Sequence, residues 1–90
     1  MTQETWTSES VIKVLRDLAA EDDLPAHLAT GEIKDSDTVE TLGIDSLGGA
    51  YLIERLEDLS GVPMPDDFLD AKDNVAKIAS RMNDLIVQGN

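Results

Sequence analysis

The sequence contains no cysteine, one histidine, and one residue each of tryptophan, tyrosine and phenylalanine among its 90 residues. Without cysteine, disulfide bonds, thiolate catalysis and cysteine-ligated zinc are excluded. The lone histidine, His27, excludes a metal site built from several histidines. It also gives no basis for a serine hydrolase triad that uses Ser46, since His27 is the only candidate histidine base and lies in a stretch without a predicted helix or strand. We therefore predict no metal site and interpret His27 as an ordinary surface residue of a loop.

Basic residues are scarce relative to acids. Seven Lys and Arg against 19 Asp and Glu give a formal net charge of −12. This balance argues against direct binding of nucleic acid, which requires basic side chains to replace counterions. It also argues against docking on anionic membranes. The ordinary interpretation is a solvated surface that keeps the protein in solution. The functional interpretation is a field that steers basic partners into contact.

Long apolar runs are absent as well, and none approaches the roughly 20 residues needed to span a bilayer. The first ten residues contain no Lys or Arg, so they do not resemble a secretory signal peptide. We therefore expect a cytoplasmic protein. The length fits one domain over residues 1–90, which we expect to be monomeric.

Three segments show the apolar spacing of amphipathic helices. The first is predicted to start near Thr7 or Ser8, both good N-caps. The second is predicted from Ser46 to Leu59, with Gly61 as its C-terminal cap. The third is predicted from Asp73 or Asn74 to Gln88. Their buried stripes are predicted to be Val11, Ile12, Leu15, Leu18 and Ala19, then Leu52, Ile53, Leu56 and Leu59, then Val75, Ile78, Ala79, Met82, Leu85 and Ile86.

Residues 22–45 show no long periodic pattern and are predicted to form a loop, which at this length is often functional. A single short helical turn is predicted at residues 66–71, with Phe68 or Leu69 facing inward. No segment alternates with a period of two residues, so no strand is predicted. The predicted fold is all-α, a small four-helix bundle of three long helices and one short one, with a long loop after the first helix.

The segment from Leu42 to Leu47 lies where this loop meets the second helix. A serine at a helix start is accessible to another enzyme, and the positive end of the helix dipole favours a phosphate there. The ordinary interpretation of Asp45-Ser46 is a helix cap, which is far more common than a modified serine. A capping box does not support that interpretation, because Gly49 stands where Ser46 as N-cap would need Glu or Gln.

The run Thr41-Leu42-Gly43-Ile44-Asp45-Ser46-Leu47 resembles the attachment motif of the acyl carrier protein family, a four-helical family with a long first loop. The family's leucine-rich second helix and following Gly and apolar-Pro segment are matched here by Leu52, Leu56, Gly61 and Met64-Pro65. The polar approach to the motif is matched by residues 35–39. The resemblance extends from about Val11 to Ile86, and the length indicates a free-standing member.

The resemblance implies that Ser46 Oγ receives 4′-phosphopantetheine from coenzyme A, in a reaction catalysed by a separate phosphopantetheinyl transferase. Asp45 would help that enzyme to recognise the serine. The protein would then be a carrier and not an enzyme. It would carry acyl groups as thioesters between the loading and processing enzymes of a fatty-acid, polyketide or related specialised pathway. A covalent arm of this kind gives each partner a high effective concentration of substrate.

A second stripe on the second helix is predicted to form the docking surface for these partners. Leu47, Tyr51, Glu54 and Asp58 repeat at helical spacing, and we call them the docking stripe. Its apolar members would supply affinity, while its acids would guide encounters with basic patches. Many family members carry acids at the positions of Gly48 and Tyr51. Both departures are interpreted as changes to the docking face that indicate a specialised pathway.

Other classes fit the sequence less well. A peptidyl or aminoacyl carrier shares the fold and the arm, but its motif often has two glycines before Asp-Ser, and here only Gly43 is present. A calcium-binding loop starting at Asp35 fails because Val39 is no ligand and Glu40 replaces the required glycine. An acidic helical interaction protein without a prosthetic group would explain the charge, but not the segment from Leu42 to Leu47.

Overall fold

Helices form the structure, a computed structural model that describes residues 5–65 and 67–89, with side chains up to residue 87. The elements are α1 (Ser8–Ala20), a 3-10 helix (Ala26–Ala29), α2 (Ser46–Ser60) and α3 (Val75–Gly89). In this part of the chain no strand is present, and the β-type pairing is an isolated antiparallel bridge between Thr38 and Asn74. The predicted all-α fold is confirmed, with the 3-10 helix as the short fourth helix.

The start of α1 is fixed by reciprocal hydrogen bonds between Thr7 and Ser10. The Thr7 hydroxyl accepts from the Ser10 N–H at 3.2 Å, and the Ser10 hydroxyl accepts from the Thr7 N–H at 3.2 Å. This pair satisfies two backbone donors that a helix start leaves free, so the predicted N-cap is confirmed. The buried stripe of α1 consists of Val11, Val14, Leu15, Leu18 and Ala19. Val14 thus takes the place predicted for Ile12, which is half-buried.

The C-terminal end of α2 is set by Gly61. Its φ of +72° is left-handed, and its N–H donates to the Glu57 carbonyl at 2.8 Å, as a C-cap glycine does. Leu52 and Leu56 are fully buried, as predicted. Leu59 is 59% exposed, and the prediction that it is buried was wrong. It lies in the last turn of α2, two residues before the C-cap Gly61.

The start of α3 follows Asn74, whose side-chain oxygen accepts from the Lys77 N–H at 2.8 Å. A side-chain acceptor at this position is the usual N-cap arrangement, and it confirms the predicted start. The residues of α3 that face the core are Val75, Ile78, Ala79, Met82 and Ile86. Leu85, also predicted to face inward, is half-buried against the same core.

The short helix lies at a different place from the one predicted. Residues 67–71 form turns and not a helix, although the Phe68 N–H donates to the Pro65 carbonyl at 3.1 Å and Phe68 is buried. Asp66, part of the same predicted turn, lies outside the described residues. The 3-10 helix instead follows Pro25, and Arg16 of α1 holds its C-terminal end by donating to the carbonyls of Leu28 at 3.2 Å and Gly31 at 2.9 Å.

The loop between α1 and α2 is tied to the start of α3 by backbone hydrogen bonds. The Val39 N–H donates to the Asp73 carbonyl at 2.9 Å, and the Val75 N–H donates to the Asp37 carbonyl at 3.0 Å. Asp73 is itself buried, and its carboxylate accepts from Arg81 of α3 and from the Asp70 N–H. These bonds fix the segment that leads into Ser46.

The segment before α1 is held against α3 by one side chain. The Asn83 amide accepts from the Trp6 N–H at 2.7 Å and donates to the Trp6 carbonyl at 2.9 Å. The Trp6 side chain packs, half-buried, against the core. None of the helices within the described residues is both long and apolar enough to cross a membrane.

Candidate functional site

Ser46 is the first residue of α2, and its side chain is exposed. The cap of this helix is Asp45, whose Oδ1 accepts from the Gly48 N–H at 2.8 Å. The Asp45 carbonyl accepts from the Gly49 N–H at 2.8 Å, which closes the first turn. Asp45 is therefore the N-cap of α2, the role that the interpretation of Asp45-Ser46 as a helix cap assigns to the pair. The Ser46 hydroxyl is not needed for that role.

The three residues before Asp45 present the serine to solvent. Leu42 and Ile44 are buried on either side of Gly43, and the Ile44 N–H donates to the Val39 carbonyl at 3.1 Å. Gly43 adopts a φ of +77°, a left-handed conformation that is costly for residues with a side chain. The glycine therefore turns the chain between two buried residues. Asp45 and Ser46, which follow this turn, are both exposed.

The start of α2 suits an anionic group. The N–H groups of Ser46 and Leu47 belong to the first turn, where a helix leaves its donors without intrahelical acceptors. The helix dipole adds positive potential at the same end. A phosphodiester on Ser46 Oγ would lie in this field, which suits the chemistry expected of an attachment serine.

The two glycines of the first turn have different surroundings. The sequence shows both only as residues of poor helix propensity. Gly48 is buried, and a Cβ placed on it would lie 2.9 Å from Leu24 Cδ2. A Cβ on Gly49 would meet Leu69 Cδ1 at 3.9 Å, an ordinary contact distance. The interpretation of Gly48 as part of the docking face was therefore wrong, because this position faces the interior of the protein.

A groove of about 520 Å³ opens beside Ser46. Ser46, Gly49 and Ile53 of α2 form one wall, residues 69–71 form the other, and Val39 and Ile44 lie between them. Apart from Ser46, Asp45 and Asp70, its lining side chains are apolar or absent. No local pattern in the sequence indicates this groove, because its second wall comes from a segment more than 20 residues after Ser46.

The structure exposes all four residues of the docking stripe. Leu47 is 61% exposed and Tyr51 is 36% exposed, and Glu54 and Asp58 are exposed one and two turns further on. Since isolated exposed apolar residues are common, their use by partners stays a prediction. All four share one helix with Ser46, and Leu47 follows it directly in the chain.

A basic side chain of α2, Arg55, is engaged in an ion pair with α1's C-cap residue, Glu21. Arg55 Nη2 donates to Glu21 Oε1 at 2.6 Å, which joins α2 to the end of α1. This hydrogen bond raises the pKa of Arg55, and the charges of Glu21, Asp17 and Asp23 act in the same direction. The charge of Arg55 is therefore directed towards the end of α1.

His27 is exposed, as predicted, but it is not remote from the motif. Its Cε1 atom lies 3.9 Å from the position that a Cβ on Gly43 would take, and Pro25 Cγ lies at 3.8 Å from the same point. The 3-10 helix thus adjoins the turn that precedes Asp45. The 3-10 helix has four residues, which are too few to show a helical period. The sequence therefore could not predict its contact with the turn before Asp45.

These features define the class of the protein: a small helical domain that exposes a serine at the start of α2, after a long anchored loop. A comparison with protein-family models matches residues 13–82 to the family described as the phosphopantetheine attachment site. The match covers well over half of the chain, and the chain belongs to this family. No curated protein and no solved structure matches it in the corresponding comparisons.

Membership in the family confirms the predicted prosthetic group. Domains of this family carry 4′-phosphopantetheine covalently, receive it from phosphopantetheinyl transferases, and interact with biosynthetic enzymes. They are generally not catalytic themselves. The groove offers the arm a surface of both apolar and polar residues. The positive end of α2 offers its phosphate a favourable field, so the residues around Ser46 fit the group.

Proposed function

We propose that this protein is an acyl carrier protein whose Ser46 hydroxyl holds the 4′-phosphopantetheine arm. When bound, the arm supplies a thiol on which an acyl group travels as a thioester. The observation that supports Ser46 most directly is its place as an exposed first residue of α2, next to the capping Asp45. The whole of residues 1–90 acts as one carrier domain without catalytic groups of its own.

Comparison of the serines within the matched region favours Ser46. This region, residues 13–82, contains Ser36, Ser46, Ser60 and Ser80. Ser80 lies inside α3, and Ser60 is the last residue of α2, where the helix dipole is negative. Ser36 lies in the loop, away from any helix start. Of these serines, Ser46 combines exposure with the end of a helix that favours a phosphate.

The aliphatic side chains of Val39, Ile44, Ile53 and Leu69 in the groove beside Ser46 suit an acyl cargo, although the carboxylates of Asp45 and Asp70 also line it. The strong acidity and the single glycine before the motif point the same way. We therefore assign the protein to a fatty-acid, polyketide or related specialised pathway. It would act in the cytoplasm as a monomer, with loading and processing enzymes that carry basic docking patches. A peptidyl or aminoacyl carrier is the second candidate.

Intact mass spectrometry tests this proposal. The apo protein is incubated with coenzyme A and a broad-specificity phosphopantetheinyl transferase, then weighed and fragmented. We expect one phosphopantetheine, located by fragmentation on Ser46. A protein that gains no arm, or gains it on another residue, would contradict the proposal. Cargo is then identified on holo protein isolated from its own cells, where an acyl thioester supports the first candidate and an aminoacyl thioester supports the second.

The docking stripe is tested with the same transferase as the probe. Tyr51→Ala is expected to raise KM for the carrier by about tenfold, as loss of an interface aromatic commonly does. The melting temperature should change little, because Tyr51 is 36% exposed and lies outside the buried cluster. Glu54→Lys is expected mainly to slow association and to weaken its dependence on salt, since rim charges act chiefly on encounter.

Each of these variants has a matched control on the same protein. Leu59→Ala removes an exposed apolar side chain from the last turn of α2, outside the stripe, and should leave KM unchanged. Glu9→Lys makes the same charge change on α1, where Glu9 is exposed. Equal effects of Tyr51→Ala and Leu59→Ala, or of Glu54→Lys and Glu9→Lys, would contradict the docking assignment. So would a large loss of stability in Tyr51→Ala, because Tyr51 would then be part of the core.

A further inference from the structure

Gly48, two residues after Ser46, occupies a position that admits no side chain without movement of its neighbours. A Cβ built on it would lie 2.9 Å from Leu24 Cδ2, 3.3 Å from Asp45 Oδ1 and 3.4 Å from Ile44 Cγ2. The first of these distances is shorter than a carbon–carbon contact, and the other two are tight. The glycine therefore lets the first turn of α2 approach its neighbours more closely than any other residue would.

The first turn of α2 packs against the side chain of Leu24. Leu24 lies between α1 and the 3-10 helix and is only 5% exposed. A buried leucine has few free rotamers, because protein interiors are close-packed. An added methyl group at Gly48 would therefore have to displace Leu24 or push the start of α2 outward. Either shift would move the turn that carries Ser46.

The same methyl group would also press on the cap of the helix. Asp45 Oδ1 accepts from the Gly48 N–H at 2.8 Å, and the added Cβ would crowd this oxygen at 3.3 Å. Asp45 and Ser46 are adjacent, so the direction of the carboxylate and the direction of the hydroxyl depend on the same turn. The absence of a side chain at Gly48 thus leaves room for two neighbours, the side chain of Leu24 and the carboxylate of Asp45.

We propose that Gly48 is a positioning residue for attachment of the arm, and that it acts through Leu24 and Asp45. This inference rests on the proposed function of Ser46. In the transfer, a bond forms between Ser46 Oγ and phosphorus while the phosphoanhydride bond of coenzyme A breaks. The serine proton passes to a base of the transferase, and adenosine 3′,5′-bisphosphate leaves. The geometry of that in-line displacement is sensitive to small displacements of the nucleophile.

The two adjacent glycines provide the test. Gly48→Ala and Gly49→Ala both replace a glycine in the first turn by the best helix former, but only the first creates a contact at 2.9 Å. With the transferase and coenzyme A, kcat is expected to fall at least about tenfold for Gly48→Ala and to stay within about twofold for Gly49→Ala. KM should change little in both, because Leu47 and Tyr51 remain in place.

A second substitution tests whether the effect passes through Leu24. Leu24→Val removes the Cδ2 atom that the new methyl group would touch. The double variant Leu24→Val with Gly48→Ala is expected to recover kcat to within about threefold of Leu24→Val alone, as coupled neighbours do. Hydrogen-exchange protection of the residue-48 amide, which reports its bond to Asp45, should fall in Gly48→Ala and return in the double variant. If Gly48→Ala does not fold, the double variant and Leu24→Val are compared directly.

Equal kcat for Gly48→Ala and Gly49→Ala would overturn the inference. A slow Gly48→Ala variant that Leu24→Val does not rescue would overturn it too, because position 48 would then act by another route. If Gly48→Ala does not fold, a double variant with a lower kcat than Leu24→Val would overturn the inference in the same way. Failure of the wild-type protein to gain an arm on Ser46 would instead refute the proposed function, so the two failures are distinguishable.

Discussion

Ser46→Ala is expected to abolish attachment of phosphopantetheine while leaving the fold intact. The substitution removes the nucleophilic oxygen, and no neighbouring hydroxyl of α2 replaces it at the helix start. The cap is retained, because the hydrogen bond to the Gly48 N–H comes from Asp45. Alanine also has a higher helix propensity than serine. The mass after incubation with transferase and coenzyme A should therefore equal that of the apo protein, with an unchanged circular dichroism spectrum.

Two other serines supply controls for this result. Ser36→Ala in the loop and Ser60→Ala at the end of α2 remove hydroxyl groups from the matched region without touching the helix start. Both variants should gain one arm at the wild-type rate. Modification of Ser46→Ala, or its loss in Ser36→Ala or Ser60→Ala, would show that the attachment serine is a different residue.

The largest loss of stability is expected from Arg81→Met. Arg81 Nη1 donates to the Phe68 carbonyl at 2.8 Å and to the carboxylate of Asp73, which is 6% exposed. Methionine fills similar space but leaves a buried carboxylate without its charged partner. Since Arg81 is itself partly exposed, we expect a loss of about 2–3 kcal/mol in the free energy of unfolding, which is less than the loss on breaking a fully buried pair.

This loss is large for so small a domain, whose total stability is of the order of 5–10 kcal/mol. The melting temperature should fall by roughly 10–20 °C. Arg55→Met is the matched control, because Arg55 also pairs with an acid, but its partner Glu21 is half-exposed whereas Asp73 is buried. Its melting temperature should change much less, since exposed ion pairs contribute little. Similar changes for Arg81→Met and Arg55→Met would contradict the importance assigned to the buried pair.

The contact between Arg81 and Asp73 also has a consequence for the site. Asp73 holds the Asp70 N–H at 3.0 Å through its side chain and the Val39 N–H through its backbone carbonyl. Residues 69–71 form one wall of the groove beside Ser46, and Val39 also lines it. The ion pair therefore maintains the shape of the groove from a position on α3.

The features that the sequence predicts well are those with a local cause. Thr7, Gly61 and Asn74 mark the ends of helices because caps act within one turn. Ser46 could be placed at a helix start because the turn residues before it and the apolar spacing after it are adjacent in the chain. The stripes of α1 and α3 were predicted with small differences, because each helix lies on one continuous core.

The features that were missed depend on contacts between distant segments. Leu59 continues the apolar spacing of α2 but extends beyond the core, and spacing alone does not show where the core ends. Gly48 is a poor helix former by sequence, and its reason appears only when Leu24 is placed against it. The turns at residues 67–71 replace a predicted helical turn because Asp73 and Arg81 engage the Asp70 N–H and the Phe68 carbonyl.

The clamp between Trp6 and Asn83 joins residues 77 positions apart. Bringing the two ends of so long a segment together costs conformational entropy. This cost is offset only after the intervening helices have packed. We therefore expect the clamp to form late in folding and to open first in the native state, by local fraying. Because Trp6 is the sole tryptophan of the chain, its fluorescence is an intrinsic signal for that opening, separate from the helical content that circular dichroism measures.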